Sequence, residues 1–277
     1  MTLYEYDGDI LNPSTNRFRV CAFNVGNFSL GASGDPDGTD DMYNDFLVTF
    51  RQCIANVYMF SEWDVNFNVS ETSASVFSFL KPYHTNYIKT GTGEYSGQMT
   101  YSDYAITSEY YEDFINSGTG GYYFVDNVIE VNGRDVHFIC THLTWKTEAF
   151  RDAQINQILD YISSHNITYY VIGGDMNLGL HGQDGVPDTQ ELKFEIARRD
   201  VDLLESEGAV SIQGGAWGMK NKDGFLNTAG SSGWDATNTN MFDNIVVSPN
   251  IRIRNVIVVV SDASDHNALC ADLEISA

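Results

Sequence analysis

Ile167-Thr168-Tyr169-Tyr170-Val171-Ile172-Gly173-Gly174-Asp175-Met176-Asn177 decides the fold. Its opening residues are β-branched or aromatic, the composition of a buried strand. Two glycines end that strand and let the backbone pass close to a neighbour. Asp175 and Asn177 follow two apart, so both face one way if the extended backbone persists. A carboxylate and an amide at a buried strand tip can hold a metal ion, a water or a phosphate. A turn closed by Asp and Asn on their own backbone is the competing reading, and the rest of the chain arbitrates.

The same arrangement recurs along the sequence. Phe18–Phe23 reads as a strand and ends at Asn24-Val25-Gly26-Asn27. Val57–Phe60 is a short apolar strand running into Ser61-Glu62-Trp63-Asp64. Tyr122–Val131 and Asp135–Thr141 flank Asn132-Gly133, a strong hairpin signal, and the second strand ends in Thr141-His142-Leu143. Asp243 lies inside the strand 241–247, where a buried carboxylate is costly unless paired. His266, in the segment Ser264-Asp265-His266-Asn267 between the last two strands, is a candidate partner.

Helices separate these strands. Met42, Phe46, Leu47, Phe50, Cys53 and Ile54 recur at spacings of three and four, giving one buried face on a helix capped by Thr39 or Asp40. Glu148–His165 is amphipathic through Phe150, Ile155, Ile158, Leu159 and Ile162, and a further helix runs over about 191–204. Ser73–Leu80 reads as a short helix, Tyr104–Thr107 as a strand, and the glycine-rich segment 90–102 has no clear assignment. The segment 214–240 is a long loop, a kind that is often functional; its Trp217, Phe225 and Trp234 are read first as folding it onto the body. No repeat or linker divides the chain, so residues 18–277 form one domain after an N-terminal extension, 1–17.

Composition sets outer limits. At 277 residues the chain can bury a full core without metal or disulfides. Hydrophobic content of 43% and aromatic content of 13% exclude disorder. No apolar run reaches spanning length and the acidic start is no signal peptide, so a cytoplasmic protein is expected. Cys21, Cys53, Cys140 and Cys270 form no CxxC pair, which argues against zinc and for reduced, buried thiols. The formal charge of −23, from 15 basic and 38 acidic residues, repels phosphate polyanions unless cations intervene. The usage of Tyr, Asn, Gly and Thr suits a bacterial or viral product.

Asn24, Glu62, Thr-His142-Leu, Gly-Asp175-Met-Asn177, Asp243 and Ser-Asp265-His266-Asn, in that order over Val20–Ile275, resemble the endonuclease/exonuclease/phosphatase superfamily. Its members include pancreatic-type deoxyribonucleases, abasic-site endonucleases, neutral sphingomyelinases and inositol polyphosphate 5-phosphatases. Arg151 and Gln154 are also similar to the family's pattern after the histidine, but a solvated helix face is the preferred reading. The resemblance implies an α/β fold, a four-layered α/β/β/α sandwich of two mixed β-sheets flanked by helices, with its site at one end.

For the residues it implies specific roles. Glu62 holds a divalent ion, with Asn24 and Asp265 as further ligands; hard oxygen donors select Mg²⁺, Mn²⁺ or Ca²⁺. Asp175 orients or deprotonates the attacking water, and Asn177 holds a phosphate oxygen or that water. His266, oriented by Asp243, donates to the phosphoryl oxygens. His142 faces the leaving group; its acid partner is open between Glu94 and Glu109. His84, His137, His165 and His181 are read as structural or surface groups. The expected activity is a metal-dependent nuclease acting on DNA, weakly bound, by a protein expected to be monomeric. A phosphatase or sphingomyelinase-like diesterase is the alternative, and an inactive binding module the third. The 5-phosphatase branch carries Trp-Cys-Asp-Arg where this chain has Met241-Phe242-Asp243-Asn244, which argues against it.

Overall fold

The computed structural model describes residues 16–26, 39–64, 83–85, 96–115, 122–180, 182, 189–214, 225–229 and 240–276. The expected helix at 73–80, Trp217, Trp234, Glu94 and His181 lie outside them. The elements follow in the order β1 (Arg17–Asn24), α1 (Thr39–Cys53), β2 (Val57–Asp64), β3 (Tyr83–His84), β4 (Ser96–Ser102), β5 (Ile106–Asp113), β6 (Tyr123–Val131) and β7 (Arg134–His142). Then come α2 (Glu148–Ser164), β8 (Tyr170–Asp175), α3 (Gln190–Leu204), β9 (Val210–Ser211), β10 (Asp243–Val247), β11 (Ile251–Val259) and β12 (Ala268–Ile275).

They build two six-stranded sheets, ordered β11-β12-β1-β2-β4-β3 and β5-β6-β7-β8-β10-β9. Each sheet has one parallel pair at its centre, β1 with β2 and β7 with β8, and antiparallel pairs around it. Helical crossovers α1 and α2 make the parallel pairs possible, since parallel strands need a long connection.

Alternation along the central strands sorts side chains into layers. From β1, Phe18, Val20 and Ala22 face the opposite sheet, where Val171, Phe138 and Ile245 meet them. Cys21 and Phe23 turn outward under α1, against Phe46 and Phe50. Ile172 and Ile139 turn outward under α2 and α3, against Ile155, Ile158 and Val201. Three cores between four layers make the α/β/β/α sandwich that the resemblance implied.

Local readings hold where period and turn chemistry were strong. Asn132 and Gly133 both take positive φ, 51° and 72°, as a two-residue hairpin turn requires. Two caps not read from the sequence accompany it: Thr147 caps α2 by accepting from Phe150 N at 3.2 Å, and Thr189 caps α3 by accepting from Leu192 N at 3.3 Å. Phe225 is buried and stacks on Phe194, so this part of the long loop does fold onto the body.

Three readings are corrected. Ile54, assigned to the buried face of α1, is 42% exposed; its φ of 47° ends the helix one residue earlier. The unassigned polar stretch before residue 102 contains β4, whose Gln98 and Thr100 are buried and hydrogen-bonded by Tyr123 and Thr85. The strand expected over 104–107 starts at Ile106 and runs to Asp113; as an edge strand with mostly exposed residues it lacks the apolar alternation that marks strands.

Gly174, at the end of β8, leaves no room for a side chain. Its φ is 139°, and a Cβ there would lie 1.9 Å from Thr141 O. Gly174→Ala is therefore expected to cost more than about 1 kcal/mol in urea unfolding. Gly133→Ala, where a Cβ meets nothing within 4 Å, bears only the positive-φ strain and costs less. Equal losses in the two variants would contradict the backbone clash.

Candidate active site

Topology gathers the polar strand tips. The parallel pairs β1–β2 and β7–β8 send four strand ends to one end of the sandwich, and register places Asn24 beside Ser61 and His142 beside Asp175. β10 runs antiparallel to β8, so its first residue, Asp243, lies opposite Asp175. β12 runs antiparallel to β1, which puts His266, just before it, next to the end of β1.

Asp175 Oδ2 is the point of convergence. Asn24 Nδ2 donates to it at 2.9 Å, and also donates to Glu62 Oε1 at 3.1 Å. His142 Nε2 stands 3.5 Å from the same oxygen and His266 Nε2 3.6 Å. His142 Nδ1 lies 3.9 Å from Glu62 Oε1. Asp175 Oδ1 accepts from Asn177 N at 2.9 Å. His266 Nδ1 and Asp243 Oδ2 are 2.8 Å apart, so the ring is held with Nε2 facing Asp175. Glu62, His142 and Asp175 each offer a donor atom within 4.8 Å of the other two.

The backbone is unusual at two of these residues. Glu62 has φ 54° at a bulge where the register of β2 against β4 slips between Phe60 and Trp63. A bulge re-aims a side chain, and here Glu62 sits beside Asn24. Asn177 has φ 48°, a conformation Asn tolerates; its Nδ2 donates to Leu143 O at 2.7 Å and ties the loop after β8 to the loop after β7.

Burial and charge set the protonation states. Burial would raise Asp175, but His142, His266 and the hydrogen bonds from Asn24 and Asn177 together hold it below the ordinary carboxylate value. Burial would lower His266; the charges of Asp243 and Asp175 overturn that and push it to about 10. Burial raises Asp243 to about 6, against the opposing pull of His266. At neutral pH the pair is thus an imidazolium on a carboxylate.

A raised histidine stabilises the fold fully below its unfolded value of 6.5, and that contribution is lost as pH climbs through about 10. In chelator-treated protein, the gap between the unfolding midpoints of wild type and His266→Gln is expected to narrow over this window. A gap independent of pH would contradict the charged assignment.

Glu62, Asp175 and His266, with Asn24, His142, Asn177 and Asp243, thus come together as the sequence expected. Asp265 does not join the group of Glu62, His142 and Asp175; it is exposed and accepts from Ser264 Oγ at 3.4 Å. Of the two expected acids, Glu94 lies outside the described residues, and Glu109 is not placed against His142. Glu109 pairs in register with Asn127, which pairs with Phe138, so it lies four residues, roughly 13 Å, back along the sheet from His142. The acids that do approach His142 are Glu62 and Asp175. Arg151 and Gln154, read as a solvated face, are buried. Arg151 pairs with Asp200, whose Oδ2 accepts from Gly179 N at 3.0 Å, and Gln154 Oε1 accepts from Thr144 N at 2.8 Å. Gln154 therefore fixes the loop that follows His142, and Arg151, through Asp200, the loop that carries Asn177.

Sequence reasoning missed two serines. Ser61 Oγ donates to Thr141 O at 3.2 Å and accepts from Asp175 N at 3.2 Å, joining the sheets beneath the site. Ser264 Oγ donates to Asn24 O at 2.8 Å and accepts from His266 N at 3.1 Å. Ser61, next to Glu62 at a strand end, was legible by position; nothing in one sequence marks Ser264 beyond its motif.

No protein-family model and no curated protein sequence matches the chain. Solved structures do. An endonuclease/exonuclease/phosphatase from Bacteroides vulgatus superposes with TM-score 0.67 at 16% identity, over 94% of this chain and 99% of that one. ANGEL2, a 2′,3′-cyclic phosphatase, gives TM-score 0.67 at 13% identity over 94% and 96%. The human Nocturnin catalytic domain gives 0.65 at 17% over 95% and 96%. With two mixed sheets face to face and helices outside, this chain has the endonuclease/exonuclease/phosphatase fold.

Proposed function

We propose that the protein is a divalent-metal-dependent phosphodiesterase, and that it is a nuclease cutting DNA by in-line attack of an activated water. The convergence of two imidazoles on Asp175 Oδ2 carries this reading. Diester hydrolysis must take a proton from water and return one to a departing alkoxide, so it needs proton-handling groups on both sides of phosphorus.

The residues fit a cation. Glu62 and Asp175 are like charges bound to one amide nitrogen, Asn24 Nδ2, a crowding that a positive ion relieves. Mg²⁺ and Mn²⁺ suit carboxylate oxygens, and Mg²⁺ needs only one or two of them. Glu62 would hold the ion, and Asp175 would be a further oxygen available to it. When bound, the ion supplies Lewis-acid neutralisation of a phosphoryl oxygen.

The chain's own groups do the rest. Asp175, kept ionised by its neighbours, accepts the proton of the attacking water. His266, charged at neutral pH, donates from Nε2 to a phosphoryl oxygen, while Asp243 fixes the ring through Nδ1. His142, with Tyr122 edge-on at 5.5 Å, donates to the leaving oxygen from the other side. Asn177 and Ser61 hold Asp175 in place.

Supercoiled plasmid, bis(p-nitrophenyl) phosphate, p-nitrophenyl phosphate and a nucleoside 2′,3′-cyclic phosphate, each with Mg²⁺, Mn²⁺, Ca²⁺ or chelator, test the proposal. Plasmid nicking with diester hydrolysis, both abolished by chelator, is expected. Cyclic-phosphate or dye hydrolysis without nicking would move the substrate to a small diester, the activity named for ANGEL2. Turnover of the monoester alone, or of nothing, would overturn the diesterase.

A further inference from the structure

Away from the site, under α1 on the outer face of the first sheet, three of the chain's four cysteines meet. Cys21 and Cys270 are cross-strand partners on β1 and β12, and Cys53 closes α1 above them. Their sulfurs all lie within 4.8 Å of one another, and each residue is at most 2% exposed. From the geometry we infer that Cys21, Cys53 and Cys270 form a binding site for a single soft, thiophilic d¹⁰ cation, with Cu(I) the ion it fits.

Bond lengths allow it. Three sulfurs at about 2.3 Å from a central ion in one plane stand about 4.0 Å apart. The cluster needs to contract by less than 1 Å at its widest. Among the described residues the group has three members, with no fourth thiol, imidazole or carboxylate in it. Structural zinc takes four ligands and catalytic zinc completes three with water, but Phe23, Phe46, Phe50 and Tyr58 enclose this cluster. Cu(I) is satisfied by two or three thiolates and tolerates a dry, apolar shell.

Charge and protons balance. Binding Cu(I) to two thiolates and a third, neutral thiol releases two protons and leaves one net negative charge at the cluster. Arg19 stands beside it, donating from Nη1 to Cys53 O at 3.2 Å while paired with Asp272. Cys140 is a built-in control: it faces the inter-sheet core and donates to Phe60 O at 3.4 Å.

Reduced protein is titrated anaerobically with Cu(I), supplied as its acetonitrile complex, in competition with bicinchoninate. Because the cluster is buried, the titration is repeated on protein refolded with the ion present. Wild type and Cys140→Ser are expected to take up one equivalent and to gain in unfolding midpoint. Cys21→Ser, Cys53→Ser and Cys270→Ser are expected to lose that equivalent. X-ray absorption of the loaded wild type, which needs no variant, is expected to show sulfur neighbours alone. No uptake by either native or refolded wild type, equal loss in Cys140→Ser, or oxygen and nitrogen around the bound ion would overturn the site.

Discussion

Asp175→Asn is expected to lower the kcat of phosphodiester hydrolysis by about 10²–10⁴-fold, the range for loss of a positioned acid–base group. An amide cannot take the water's proton. It also turns an NH₂ or a neutral oxygen towards the two imidazoles that now share Oδ2 with Asn24. KM is expected to change little, since the proposed loss is made in the transition state. The variant should fold, because asparagine can still accept from Asn177 N. Circular dichroism and urea unfolding check the fold, and diester kinetics across Mg²⁺ concentrations check the chemistry. Turnover within a few-fold of wild type would remove Asp175 from the mechanism. Full recovery at high Mg²⁺ would reassign it as a metal ligand only.

The site was legible because its residues sit where strand composition stops. Val171-Ile172 cannot be mistaken for loop, and Gly173-Gly174 marks the point where the polar pair begins. Asp243 was legible as a carboxylate inside an apolar strand, and its partner His266 followed from the need to pair it. What single-sequence reading could not see is set by tertiary register. The bulge that aims Glu62 arises from its pairing with β4, a strand too polar to be recognised. Arg151 and Gln154 were assigned to solvent because arginine and glutamine are mostly exposed; in the fold Asp200 of α3 pairs with Arg151, and the loop after β7 takes up Gln154 through Thr144 N. The cysteines were misleading for the same reason. No spacing in the chain reveals that positions 21, 53 and 270 are neighbours, since β12 returns beside β1 from the far end of the sequence.

Arg151→Ala is expected to cost about 3–5 kcal/mol of stability, because it leaves Asp200 buried without its partner. Both side chains are fully inaccessible, and Arg151 Nε donates to Asp200 Oδ1 and Oδ2 at 3.1 Å each. Burial already raises Asp200 to about 6 against the opposing pull of Arg151; without the arginine it rises further. A carboxylate raised above its unfolded value of 3.8 favours folding at low pH and loses that contribution as pH rises through the folded value. The deficit of Arg151→Ala should therefore be smaller at pH 5 than at pH 8. Arg151→Met with Asp200→Leu removes both charges, fills similar volume, and is expected to restore most of the stability. It cannot restore the acceptor for Gly179 N, two residues beyond Asn177. The double variant should then be stable yet slow, while Asp200→Asn, which keeps an acceptor for Gly179, should be faster than the double variant. Urea unfolding at the two pH values and diester kinetics on the three variants separate packing from positioning. A double variant that is both stable and fully active would show that the α2–α3 ion pair only fills space.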